Sequence, residues 1–291
     1  MVKKIVTTEF QIDDQKAEKI ASRLNREFYG HKGIFKDCYP PELSLPTKIT
    51  QGSREHALFL TYVISINYMT DSTQLWKKSK GAYALFPERF LPEKILKSSP
   101  QTIETFIKFL GARQTATAAK TWIQISKILI DNYEGDPRNI TKELLRIQDI
   151  QKRLKLFPYL RGTKLSNYYI RVMGETGLFK IKNLNQLNIP IDRQIAQFTV
   201  YSGVLKLQSK NFAGNANEDP LKDLIEEAWR NAAKTLGIAP WKLADPISII
   251  ESTLCNTKKC KQCPVDDHCE KKRKGIAFKE NVLFWKGTPA S

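Results

Sequence analysis

Apolar residues recur at three- and four-residue intervals in segment after segment, and helix punctuation bounds most of these segments. Ser99-Pro100 reads as an N-cap followed by proline at the first helical position. Ile103, Phe106, Ile107 and Leu110 then share a face, and Gly111 stops the helix. Ala118 to Tyr133 predicts a second helix, with Trp122, Ile125, Ile128 and Leu129 turned inward. Asp219-Pro220 opens a third, along which Leu221, Leu224, Ile225, Ala228, Trp229 and Ala232 form one side before Gly237. Gln11 to Phe28 and Lys142 to Leu156 also read as helical. No series of alternating strands is visible, so the predicted fold class is mostly α.

The breaks between these segments are equally plain. Tyr39-Pro40-Pro41 to Pro46 is linker-like, Gly135-Asp136-Pro137 is a turn, and Ser209 to Asn217, with Gly214 and three asparagines, is loop-like. The longest apolar run, Ala57 to Met69, is interrupted by Thr61, Ser65 and Asn67 and reads as a buried helix. It falls short of the roughly 18 apolar residues that a membrane span needs. Met1 to Glu9 has lysines but no apolar core or cleavage site behind them, so no secretory signal is read there.

Charge narrows the choice of partner. Among 291 residues, 47 are Lys or Arg and 30 are Asp or Glu, a formal net charge of +17. A field of that sign draws in polyanions, nucleic acid foremost. A solvated basic surface is the plainer alternative.

Four of the five cysteines crowd into one C-terminal stretch, Cys255, Cys260, Cys263 and Cys269, with the spacing C-x4-C-x2-C-x5-C. A secreted disulfide scaffold would spread them along the chain, so a metal site in an intracellular, reducing compartment fits better. Four thiolates on short loops suit zinc or an iron–sulfur cluster. Lys258, Lys259 and Lys261 sit between them as candidate phosphate contacts. His268 stands beside the last cysteine as a bystander.

The compact run of four cysteines resembles the cluster loop of the endonuclease III family of helix-hairpin-helix DNA glycosylases. That family spaces its first two cysteines by six residues, where this chain has four. The resemblance implies a [4Fe-4S] cluster in a structural role, with structural zinc as the alternative. Phe157 to Arg171, FPYLRGTKLSNYYIR, resembles the family hairpin L-P-G-V-G-x-K-[TV]-A-[DN]. Pro158, Leu160, Gly162, Lys164, Ser166 and Asn167 fit with one residue inserted, and Tyr159 stands near the place of the first glycine. The segment Ile189 to Ile195 is similar to the family's V-D-x-H-[IV]. It puts Asp192 at the aspartate and Gln194 at the histidine.

By that resemblance Lys164 and Asp192 face one another across a pocket for an extruded nucleotide. Lys164 is the implied nucleophile and Asp192 the carboxylate that stabilises the sugar and orients the amine. They lie 28 residues apart, an interval longer than the family's by about ten, which a loop through Gly174 to Asn188 accommodates. Arg161, Gly162 and Thr163 would hold the DNA backbone. Val63 to Asp71 resembles the segment that ends the family's early buried helix, which makes Asn67 or Tyr68 the side chain that fills the gap left by a flipped base. Tyr168, Tyr169 and Phe198 could line the base pocket, or be core.

The implied architecture has a helical barrel domain over 51–185 and a discontinuous cluster domain over 1–50 and 186–291. The implied protein is a monomeric base-excision glycosylase and AP lyase acting on double-stranded DNA with a damaged or mismatched base. A lyase-free glycosylase in which Asp192 activates water, and a non-catalytic nucleic-acid binding module, remain as alternatives.

Overall fold

The structure is a computed structural model that describes residues 10–68, 70–208, 213–215, 221–271, 276–279 and 282–285. For 163–164, 213–215, 276–279 and 282–285 it describes the backbone only. Met1 to Glu9 and the predicted helix start at Asp219-Pro220 lie outside the described residues. The chain is mostly helical and divides into two units, Tyr39–Leu184 and the pair of segments Met1–Cys38 and Asn185–Ser291. Among the described residues, no helix is long and apolar enough to cross a membrane.

In the Met1–Cys38 and Asn185–Ser291 unit, β1 (Phe10–Ile12) precedes α1 (Asp14–Tyr29), whose N-cap Asp13 accepts from the Lys16 backbone N–H. The predicted helix from Gln11 therefore starts at Asp14. Gln11 instead pairs, 195 positions along the chain, with Lys206 of the antiparallel strand β2 (Leu205–Leu207). Around α1 pack α9 (Arg193–Ser202), α10 (Leu221–Thr235) and α11 (Ala244–Ile250). Phe198 stacks on Trp229 with ring centroids 6.2 Å apart, and the Trp229 indole N–H donates to Thr199 Oγ1 at 2.8 Å. The loop-like Ser209–Asn217 region contains β3 (Ala213–Asn215), which joins β4 (Ile276–Lys279) and β5 (Val282–Trp285) in an antiparallel sheet of order β3-β5-β4.

The residue after the last cysteine holds this unit's two segments together. The Glu270 carboxylate takes Lys16 from α1 and lies 3.7 Å from Lys206, while its backbone N–H donates to the Ser202 carbonyl at 3.0 Å. Lys206 also pairs with Asp13 at 2.8 Å and holds that carboxyl below its ordinary range. Room for Glu270 comes from Gly203, which ends α9 in the left-handed region at φ 81°. A Cβ there would sit 2.5 Å from the Glu270 carboxyl carbon.

The Tyr39–Leu184 unit is organised around α2 (Arg54–Ser65), in which every residue from His56 to Ser65 is buried. Against it pack α3 (Ser72–Leu85), α6 (Thr115–Tyr133) and α8 (Thr163–Glu175), while α4 (Pro92–Ile95) and α5 (Pro100–Leu110) pack on α6 and α7 (Ile147–Leu154) packs on α8. Phe59 lies 5.9 Å from Trp76, 5.6 Å from Tyr83 and 5.6 Å from Phe90, ring to ring. Fully burying each such side chain stabilises the fold by about 1.5–3 kcal/mol. The caps of α5 are those read from the sequence, Ser99 and a left-handed Gly111.

Two sequence expectations fail here for tertiary reasons. Lys142 to Leu156 is helical only from Ile147, because Leu145 is drawn into a bridge with Ile181. Its N–H donates to the Lys180 carbonyl at 3.1 Å, and its carbonyl accepts from Lys182 at 2.8 Å. The linker-like Tyr39–Pro46 stretch forms a tight turn at Pro41–Leu43, where Glu42 is buried in an ion pair with the equally buried Arg171 at 2.5 Å. Residues 39–50 accordingly group with the middle of the chain.

A buried titratable group in α2 gives a pH test. His56 is 1% exposed, and its Nδ1 accepts from the Gly52 N–H at 3.1 Å. Burial lowers its pKa to about 4, against about 6.5 in the unfolded chain. Between those values the unfolded chain binds a proton that the native state refuses. Stability is therefore complete above about pH 6.5 and declines as pH falls towards 4, by up to about 3 kcal/mol. Denaturant titrations at pH 7 and pH 4.5 should show a smaller difference for His56→Gln than for the wild type. Equal differences would place the acid sensitivity elsewhere.

Candidate nucleic-acid interface and four-cysteine pocket

The segment joining α7 to α8 is a hairpin pinned from inside. Phe157 and Leu160 are fully buried, so the backbone between and after them is pushed outward, leaving Arg161 and Gly162 exposed. The Leu160 N–H donates back to the Pro158 carbonyl at 2.8 Å, and the Gly162 carbonyl accepts from Ser166 at 2.8 Å as α8 begins. The N-cap is Gly162, which has no side chain to cap with, and a helix N-terminus of this kind has capacity for an anion. Gln151 of α7 donates to Asn167 of α8 at 2.8 Å and fixes the angle of the hairpin. Lys164 is the second residue of α8. The side chains of Thr163 and Lys164 lie outside the described residues.

Tyr159 occupies the left-handed region at φ 63°, a conformation that favours glycine. The chain thus keeps a glycine-type backbone while carrying an aromatic side chain, whose ring centroid lies 6.0 Å from that of Tyr68. Tyr68 is 52% exposed. Asn67 points into the structure instead, donating from Nδ2 to Ser72 Oγ at 3.0 Å. Of the two candidate plugs, Tyr68 is the one presented. Met69 lies outside the described residues.

Arg113 and Gln114 complete a small cleft with Tyr68, Tyr159 and Ser65, and Gln114 is itself left-handed at φ 51°. The cleft holds about 10 Å³, space for one water rather than a base. Tyr159, Arg113 and Gln114 had no role in the sequence reading beyond the missing glycine at Tyr159. Their grouping depends on where α5 turns into α6.

In the other unit, Asp192 is the N-cap of α9, its Oδ1 accepting from the Ile195 N–H at 3.0 Å. The cap ties the Asp192 side chain to its own helix. It also holds the carboxylate at the positive end of a helix. Gln194 follows in the first turn, half-buried. Of the aromatic pocket candidates, Tyr169 and Phe198 belong to the core. Tyr169 is fully buried with its hydroxyl 2.8 Å from Thr61 Oγ1, and Phe198 packs on Trp229. Tyr168 is half-buried beneath the Arg171 guanidinium, 5.1 Å from its ring centroid.

Cys255, Cys260, Cys263 and Cys269 line one tight pocket of about 10 Å³, together with Phe198, Tyr201, Leu254, Asp266 and Lys271. The approach is shaped by a wide helical turn at Glu251–Cys255, where the Asn256 N–H donates to the Glu251 carbonyl at 3.0 Å. All four thiols are unbridged, and burial raises the pKa of Cys263 to about 11. Among the described residues, no three His, Cys, Asp or Glu side chains are already drawn together at ligand geometry. The donor set and the shared pocket nonetheless fit a thiolate-bound metal centre, and Lys271, paired with Asp266 at 2.8 Å, adds a cation at its edge. Lys258, Lys259 and Lys261 are exposed on the same loop.

Compared by sequence, the chain matches no family model and no curated protein. Compared by structure, it is similar to endonuclease III trapped on DNA as a covalent intermediate, in an estranged-adenine complex. The TM-score is 0.53 at 15% identity, over 90% of this chain and 97% of that one. A thermostable thymine-DNA glycosylase is similar at TM-score 0.56 and 16% identity, over 89% of this chain and 98% of that one. A non-covalent endonuclease III–DNA complex gives 0.54 and 14%, over 90% and 97%. The chain therefore has the mostly helical fold that endonuclease III and the thymine-DNA glycosylase share.

Proposed function

We propose that this protein is a base-excision DNA glycosylase with AP lyase activity, acting as a monomer inside the cell on duplex DNA that carries a damaged or mismatched base. One observation carries the reading. In a fold shared with endonuclease III, the exposed Gly162 leads into α8, whose second residue is Lys164, immediately after a hairpin anchored by Phe157 and Leu160. The net charge of +17 supports a polyanionic partner.

In the proposed reaction the Lys164 amine attacks C1′ of an extruded nucleotide, and the base leaves with the glycosidic electron pair. The C1′–O4′ bond then opens, its electron pair and a proton going to O4′, to give the iminium; loss of a C2′ proton drives β-elimination, which breaks the C3′–O bond. Hydrolysis then frees the amine. Asp192, held by its cap hydrogen bond, supplies negative charge to the sugar as positive charge develops there and accepts the proton from the attacking ammonium. Arg161, Gly162 and Thr163 hold the phosphate backbone, Tyr68 fills the stack, and Lys258, Lys259 and Lys261 add phosphate contacts.

Borohydride reduction on an abasic-site duplex should trap a covalent adduct with the wild type and none with Lys164→Ala. Asp192→Asn, which keeps a good cap, should leave thermal stability within about 1 kcal/mol while slowing base release by about 10²-fold or more. Base release that survives Lys164→Ala without an adduct would instead assign Asp192 to water activation. Failure of the wild type to release any base from a lesion panel would leave a DNA-binding module.

For the plug, Tyr68→Ala should weaken binding to an abasic-site duplex by about tenfold, measured by anisotropy. Asn67→Ala should change stability more than affinity, because its amide is tied to Ser72. The reverse pattern would exchange their roles.

Cys255, Cys260, Cys263 and Cys269 would hold a [4Fe-4S] cluster, with zinc as the alternative. When bound, such a centre clamps its loop and orients the neighbouring lysines. Anaerobically purified protein should be brown, with iron and acid-labile sulfide in equal amounts. Cys260→Ala and Cys263→Ala should lose both and melt earlier. A colourless protein with one zinc per chain would assign the site to zinc.

A further inference from the structure

Away from the hairpin and the cysteines, the segment from Leu85 to Leu110 builds an apolar groove with a cationic edge. Pro87, Pro92 and Pro100 each stand at the first position of a helical turn, so three consecutive turns meet at fixed angles. Phe106 is the spine. The Arg89 guanidinium carbon lies 5.8 Å from its ring centroid, Phe109 stacks at 6.5 Å, and Phe86 meets it edge-on at 6.4 Å.

A hollow opens on each side of the Arg89–Phe106 partition. One, of about 340 Å³, is bounded by Lys94, Ile95, Lys97 and Ile103; the other, of about 540 Å³, by Phe86, Thr102, Thr105 and Phe109. Phe86 is 42% and Phe109 54% exposed, and Leu85 and Leu96 beside them are 68% and 40% exposed. Scattered exposed apolar residues are ordinary, but a contiguous set around preformed hollows marks a binding surface.

Charge selects the occupant. Among the described residues, Arg89, Lys94 and Lys97 form no ion pair. Of the nearby acids, Glu93 pairs with Arg54 and Glu104 accepts from Thr115, while Glu88 stands on the wall of the smaller hollow, so the edge carries three cations against one acid. Stacking by nucleobases needs open ring faces, whereas Phe106 is already covered by Arg89 and stacked with Phe109. The remaining walls mix Ile95, Ile103 and Trp122 with Ser98, Thr102 and Thr105.

We propose that this groove docks an acidic amphipathic helix of a partner protein. Apolar side chains one turn apart enter the two hollows, and Asp or Glu side chains meet Arg89, Lys94 and Lys97. No residue of the groove belongs to the proposed glycosylase machinery, so docking and base excision fail independently.

The test titrates the full chain into a fluorescein-labelled amphipathic peptide of about sixteen residues, Leu on one helical face and Asp or Glu on the other. Saturable binding should weaken by about tenfold or more for a permuted peptide of equal composition, and likewise for Phe109→Ser and Arg89→Glu. Phe109→Ser alters an exposed side chain and should leave melting temperature and lesion processing unchanged. It decides the matter should Arg89→Glu fail to fold. Absent binding, equal binding of the permuted peptide, or binding indifferent to Phe109 would overturn the proposal. So would oligo-dT binding that depends on Phe109, which would make the groove a single-strand site.

Discussion

A single buried hydrogen bond sets the orientation of the helix on which the proposed chemistry depends. Thr61 of α2 and Tyr169 of α8 join hydroxyls at 2.8 Å inside the core, and the Thr61 hydroxyl also reaches the Ala57 carbonyl at 2.6 Å. Leaving a buried hydroxyl unpaired costs about 1–3 kcal/mol, so α8 cannot roll without a large penalty. Ser166, Tyr169, Ile170 and Met173 face inward as a result. Each helical residue turns the chain by about 100°, so position 164 lies about 140° round from Tyr169. Its place at the start of α8 is set by the core.

The same logic runs through the neighbours of α2. Tyr62 shares a hydrogen bond with Ser126 at 2.6 Å, and its carbonyl accepts from the Trp122 indole at 3.0 Å. Polar groups on an otherwise apolar helix thus specify which faces of α6 and α8 it meets, a selectivity that apolar contact alone lacks. The hairpin is then held at a distance from the core that Phe157 and Leu160 determine.

How much of this the sequence discloses depends on whether the cause is local. The caps of α5 and the inward face of α6 are local, and both are legible from Ser99-Pro100, Gly111 and the spacing of Trp122, Ile125 and Leu129. The strand pairing of Phe10 with Leu207 is not, because three-residue strands have no identity apart from their partner. Leu145 leaves its predicted helix for the same reason, a bridge to Ile181. Tyr169 and Phe198 read equally well as pocket or core from periodicity, and only the Thr61 and Trp229 contacts decide. The cysteine spacing was legible as a group, but the loop's attachment through Glu270, Lys16 and Lys206 required the fold to bring distant charges together.

Tyr159 and Asp192 show why a fold persists at 14–16% identity to its structural neighbours. On the proposed function this hairpin approaches a phosphate, and Tyr159 supplies its left-handed backbone despite a strain of about 1–2 kcal/mol. What the geometry demands is a dihedral angle, and more than one residue type delivers it when the surroundings over-determine it. Asp192 presents the complementary case. Its carboxylate accepts from the first-turn N–H of its own helix, so the backbone of α9 helps to fix its position. On the proposed chemistry that makes the carboxylate pre-organised, and the glutamine at 194 can stand where a histidine is expected without moving it.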